Sequence, residues 1–120
     1  MNEKGLKKVR KYSEKMYLAE KDTSFQVGLS HMLDDQYFKY KKKLRKTLEA
    51  LDFNDLKEVY TLALIGEDLD YGLEHPLSFD AVFEGIMLNQ SDIIHKLTHK
   101  LKLHAYIELA LEETKKNTQN

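Results

Sequence analysis

Asp92, His95 and His99 are the residues of this 120-residue chain whose types and spacing come nearest to a ligand-binding set. Carried on one helix, offsets of three and seven residues bring a carboxylate and two imidazoles within about a 60° sector. Such a set can bind a transition metal, with His104 or His75 as further ligands. If Leu97 marks the middle of the buried face, both imidazoles point away from it and are accessible. A solvated pair of histidines beside Lys96 and Lys100 is the commoner fate of such spacing, because metal sites of useful affinity need further ligands and supporting hydrogen bonds. The metalloprotease version fails outright, since Lys96 stands where its helix needs a glutamate.

Asp68, Asp70, Gly72 and Glu74 alternate in the manner of a calcium loop, but the register is wrong. Counting from Asp68, the glycine falls at the fifth position of the loop instead of the sixth, and Phe79 stands where a bidentate glutamate is required. An acidic turn ahead of a helix N-terminus explains these carboxylates without a ligand. A third set is cationic: Lys39, Lys42, Lys43, Arg45 and Lys46, adjoined by Tyr37, Phe38 and Tyr40. Cations for phosphates and rings for stacking are what a nucleic-acid surface requires, and Lys7, Lys8, Arg10 and Lys11 add to the charge. Helical periodicity, however, puts Tyr37, Tyr40 and Leu44 on an inward stripe, where aromatics pack as core. A helix-turn-helix pair over residues 48–65 would offer the groove an acidic, apolar second helix, a poor reader of bases.

Glycine-rich phosphate loops, nucleophile elbows and paired glutamates in an apolar frame are all missing from the sequence, and the absence of cysteine removes thiolate nucleophiles, thiolate metal sites and disulfides. Ser13, Ser24, Ser30, Ser78 and Ser91 read as caps or exposed positions. No catalytic residue and no cofactor is therefore expected.

The elements that must position these residues are helical almost throughout. There is one proline, Pro76, among five glycines, and Leu, Lys and Glu dominate. With 42% hydrophobic and 32% charged residues, the chain is neither a disordered polyelectrolyte nor a membrane span. No apolar stretch follows the basic start, so no secretory signal is expected and a cytoplasmic setting is the economical reading.

Leu6, Val9, Tyr12, Met16 and Tyr17 predict an amphipathic helix ending near Glu20. Asp22, Thr23 and Ser24 offer caps for a short helix carrying Phe25, Leu29, Met32 and Leu33, interrupted by Gly28. Asp34 and Asp35 can cap a long one with Tyr37, Tyr40, Lys41, Leu44, Leu48 and Leu51 on its seam. Asn54 is the candidate N-cap of the next, which runs through Leu56, Val59, Tyr60, Ala63 and Leu64 to Gly66 at the left-handed C′ position. The unbroken apolar run of Leu62, Ala63, Leu64 and Ile65 marks that helix as central. Residues 67–77 form the one clear loop. Ser78 then caps a helix with Phe79, Val82, Phe83, Ile86 and Met87; Ser91 caps another with Ile93, Ile94, Leu97 and Leu101; and Leu103, Tyr106, Ile107, Ala110 and Leu111 line the last. The predicted architecture is all-α: a compact bundle of six to seven short helices in a single domain, residues 1–113, with residues 114–120 as a disordered polar tail.

Charge divides the chain unequally. Residues 1–51 carry 13 Lys/Arg against 7 Asp/Glu, net +6, and the remainder 6 against 13, net −7. The two parts should attract, by packing against each other in one molecule, by head-to-tail self-association, or through a charged partner for the basic part.

The stretch 44–64 followed by Ile65 and Gly66, together with 101–113, resembles a small bacterial family of all-helical proteins whose function is not established. In that family a leucine-rich helix, a short acidic turn, an apolar helix ending in glycine and a C-terminal helix of leucine and glutamate follow in order, a pattern covering residues 41–113 here. The resemblance implies a bacterial source and an α fold, and supplies no activity or ligand. Seven tyrosines, five phenylalanines and four methionines in so small a domain point to a protein-interaction or regulatory module, as a homodimer or with another protein. The alternatives are nucleic-acid binding through Lys39, Lys42, Lys43, Arg45 and Lys46, and a metal site at Asp92, His95 and His99. No membrane partner is expected.

Overall fold

Six helices follow one another in the computed structural model: α1 (Glu3–Thr23), α2 (Ser30–Ala50), α3 (Phe53–Asp70), α4 (Phe79–Gly85), α5 (Gln90–Thr98) and α6 (Leu103–Thr118). The structure describes residues 2–23, 30–72 and 77–118, with side chains over 2–21, 36–72 and 77–115. No strand occurs among the described residues, and the fold is all-α as the composition predicts.

α1 and α2 pack antiparallel as one hairpin, α3 and α6 pack as a second pair, and α6 also lies against α1. α5 closes the gap between α2 and α3, while α4 rests chiefly on α3. Apolar residues recurring at helical spacing meet in one core: Val9 and Met16 from α1, Leu44 and Leu48 from α2, Leu56, Val59 and Leu62 from α3, Ile93 and Leu97 from α5, and Leu103 and Ile107 from α6. Burying each such side chain is worth roughly 1.5–3 kcal/mol, which drives the assembly. α3 is buried at eight positions around its circumference, the central place its apolar run predicts.

Helix ends differ from the sequence expectation for identifiable reasons. α1 continues to Thr23, beyond Glu20. Residues 30–50 form one continuous helix, so Asp34 and Asp35 lie inside it instead of capping it; no glycine or proline interrupts that stretch. Phe25, Gly28 and Leu29 of the expected short helix lie outside the described residues. The α3 N-cap is Asp52, not Asn54: its backbone is extended and its carboxylate accepts the Asp55 N–H at 2.8 Å. Gly66 does not end α3. The helix runs on to Asp70 and stops at Tyr71, followed by Gly72 with φ of 90°. Asn89, not Ser91, caps α5 by accepting from the Asp92 N–H at 2.8 Å. Ser78 caps α4 as predicted. α6 passes the boundary expected at 113 and ends at Thr118, with the Thr114 hydroxyl donating to the Ala110 carbonyl inside that extension.

Gly66 has another use. A Cβ built there would overlap the Tyr106 carbonyl, so α3 and α6 touch main chain against main chain at this point. Only glycine permits so close an approach.

Candidate functional site

Asp92 sits in the first turn of α5 and His95 in its last, both exposed, and His99 is the C-cap residue one step past the helix. The two imidazoles stand with ring centroids 4.2 Å apart. His99 Nδ1 lies 2.8 Å from the His95 carbonyl, which an Nδ1–H donates to, so that nitrogen is engaged in closing the helix. Among the described residues no group of three or more His, Asp or Glu side chains is placed to hold a metal ion. His75, named as a further ligand, lies outside the described residues, and His104 faces α1.

His104 is a half-buried polar residue on the α1 side of α6. Its backbone N–H donates to Ser13 Oγ at 3.0 Å, and the same hydroxyl meets His104 Nδ1 at 3.1 Å. Ser13 therefore caps α6 from across the core, a function its position in mid-helix conceals in the sequence. Burial lowers the His104 pKa below the ordinary imidazole value, aided by Arg10 and opposed by the nearby Glu14 and Glu108 carboxylates. Tyr17 covers the ring at 5.4 Å. The serine is only 2% exposed, so its hydroxyl has no route to a substrate.

The cationic residues of α2 divide between two faces. Lys39 and Lys43 lie over the Tyr40 ring at 5.7 Å, and Lys43 also reaches the Tyr12 ring of α1 at 5.8 Å. Arg45 lines a separate recess of about 380 Å³ against α5, with Glu49, Gln90, Ser91 and Ile94. Lys42 and Lys46 are exposed. Tyr37 and Tyr40 are half-buried against the core, on the inward stripe that periodicity predicts. The two basic helices pack on each other, and among the described residues no ion pair joins these five cations to a carboxylate. A salt bridge does form inside the acidic part, where Lys100 Nζ lies 2.8 Å from Glu67 Oε2 and ties α3 to the turn before α6.

Sequence spacing gave no sign of an apolar cleft between α3 and α4. It encloses about 550 Å³ and is lined chiefly by Tyr60, Leu64, Val82, Ile86 and Met87, with Leu77 at one end and Asp68 at the rim. α4 has seven residues and none is fully buried, so it stands against α3 without sealing it. Met87 is 92% exposed and Leu77 68%. The available signal was the apolar run Phe79, Val82, Phe83, Ile86 and Met87; α4 ends at Gly85, so Ile86 and Met87 of the expected helix lie beyond it.

No protein-family model matches the chain, and neither a curated protein nor a solved structure matches it. Among the described residues no helix is long and apolar enough to cross a membrane. The functional reading thus comes from the side chains themselves.

Proposed function

We propose that the chain is a protein-interaction module that seats a basic amphipathic helix in the cleft between α3 and α4. The observation that carries this reading is the exposure of Met87 and Leu77 at the mouth of an apolar cleft, because surface of that kind is ordinarily covered by a partner. Methionine suits such a contact, since its flexible, polarisable side chain adapts to the helix it meets. Charge selects the occupant. Asp68 stands at the rim, Asp80 and Glu84 are exposed on α4, and residues 52–120 carry a net charge of −7. A helix with an apolar stripe and lysine or arginine flanks fits both the floor and the rim.

The test uses a synthetic amphipathic helix of leucine and lysine, with a leucine and glutamate version as control. Methyl resonances of Met87, Leu77 and Leu64 should shift with the lysine peptide only, and Val82→Asp should raise its Kd at least about tenfold. Equal response to both peptides, or none, overturns the proposal. A molar mass that doubles with concentration while these methyls become protected would put a second copy in the cleft, and overturns it as well.

A further inference from the structure

The antiparallel pairing of α1 and α2 creates a cationic groove that neither helix possesses alone. Lys4, Lys8, Lys11 and Lys15 recur at offsets of four, seven and eleven residues, so they share the flank of α1 that turns toward α2. Lys39, Lys43 and Lys46 recur in the same way on the facing flank of α2. The seam between them is visible in the contacts. Lys15 lies over the Tyr40 ring at 5.3 Å, Lys11 over the Tyr12 ring at 5.8 Å, and Tyr12 and Tyr40 stack at 6.5 Å as the floor. At the other end Lys4, Gly5, Lys8, Thr47 and Ala50 border an open recess of about 280 Å³. The closeness there depends on Gly5, where a Cβ would stand 2.7 Å from Leu51 Cδ2.

The described acidic side chains of these helices lie off the lysine flanks or past the end of the groove, where Glu20 acts on Tyr37 beyond Lys15. Glu3, Arg10 and Glu14 share the opposite flank of α1 by spacing, and Glu14 acts on His104 at the α6 side. Glu49 lines the recess against α5. Seven ammonium groups thus border about 16 Å of helix axis, at about 1.5 Å rise per residue, with no described carboxylate among them. Like charges so close repel, and the arrangement persists at a cost that an anionic ligand would remove.

We propose that this groove binds the phosphate backbone of a single-stranded nucleic acid without selecting its bases. A concave cationic track flanked on both sides fits a flexible strand, whereas a rigid duplex would rest on its rims. The tyrosine rings that floor the groove are half-buried and carry lysines over their faces, so they offer no open face for a base to stack on. An anionic membrane is the less suitable partner. Among the described residues of these two helices only Leu18 and Phe38 expose a large apolar side chain, two isolated groups where interfacial binding needs a continuous apolar area as well as charge.

Anisotropy of fluorescein-labelled oligothymidine and oligoadenine of equal length, with their duplex and phosphatidylserine vesicles as further arms, tests the proposal. Both single strands should bind with Kd values within about twofold of each other, and log affinity should fall against log salt with a slope of about −3, the value for roughly four phosphates of a single strand. Lys11→Glu with Lys43→Glu should weaken binding more than tenfold, and Lys102→Glu, an exposed cation of the acidic part, should leave it unchanged. Lys11→Gln with Lys43→Gln reads the same loss should charge reversal disturb the hairpin. The proposal is overturned by undetectable binding at about 50 mM salt, by groove variants that bind like the wild type, by duplex binding as tight as single-strand binding, or by capture on vesicles alone.

Discussion

Ser13 and His104 illustrate what a single residue decides in this fold. The serine hydroxyl takes the His104 N–H that would otherwise be an orphan donor at the start of α6, and it also meets the imidazole at Nδ1. With the folded pKa depressed by burial, the unfolded chain binds the proton more readily, so stability is present above the ordinary value of 6.5 and is lost as pH falls below it. Thermal melts between about pH 7.5 and 5 should show this decline, and His104→Asn should flatten it; an unchanged slope in the variant would assign the acid sensitivity to other groups. None of this was legible in the sequence, because the two partners are 91 residues apart and each looks ordinary where it stands. The exposed position of His95 and His99, by contrast, followed from placing Leu97 in the core, and it was legible.

Among elements, the existence of helices was legible and their ends were not. Leucines and aromatics at a period of about 3.6 residues oblige the chain to coil and bury a stripe, so the stretches that became α1, α3, α5 and α6 are visible by eye. Caps compete locally: Asp52 and Asn54, or Asn89 and Ser91, differ by one turn's choice of which side chain folds back, and intrinsic preference does not separate them. Gly66 was misread because a glycine after an apolar run signals a terminus, whereas here it admits a neighbouring backbone. Gly66→Ala should destabilise the protein by about 3 kcal/mol, the upper range for forcing extra volume into a packed site. Denaturant titration checks this. A loss below about 1 kcal/mol, or a gain of up to about 1 kcal/mol as replacing a mid-helix glycine by alanine gives by backbone freedom alone, would mean that α6 can shift aside.

For the whole molecule the informative quantity is where the charge goes. Sequence counts gave the two unequal parts but not their pairing, since nothing in a linear string says that α1 will lie on α2 and turn two sets of lysines toward one seam. That is why the cations of α2 were legible as a candidate surface while the contribution of Lys4, Lys8, Lys11 and Lys15 as its second wall was not. The hairpin is self-repelling as a result. Lys43→Glu should raise Tm by on the order of 2 °C at low salt, with the gain shrinking toward zero near 1 M, where the Debye length is about 3 Å. A charge reversal of the kind expected to weaken oligonucleotide binding should therefore stabilise the fold, and a fall in Tm instead would show that the seam is not under electrostatic stress.

Bare main-chain contact between α3 and α6 also determines which parts of the molecule can yield. Helices separated by side chains can slide as rotamers exchange, but two backbones locked at Gly66 have no such lubricant. The α3 wall of the apolar cleft is in effect an anvil. If the cleft grips helices of different girth as proposed, the reshaping falls to α4, the short wall held chiefly by α3, which would act as the moving jaw of a clamp.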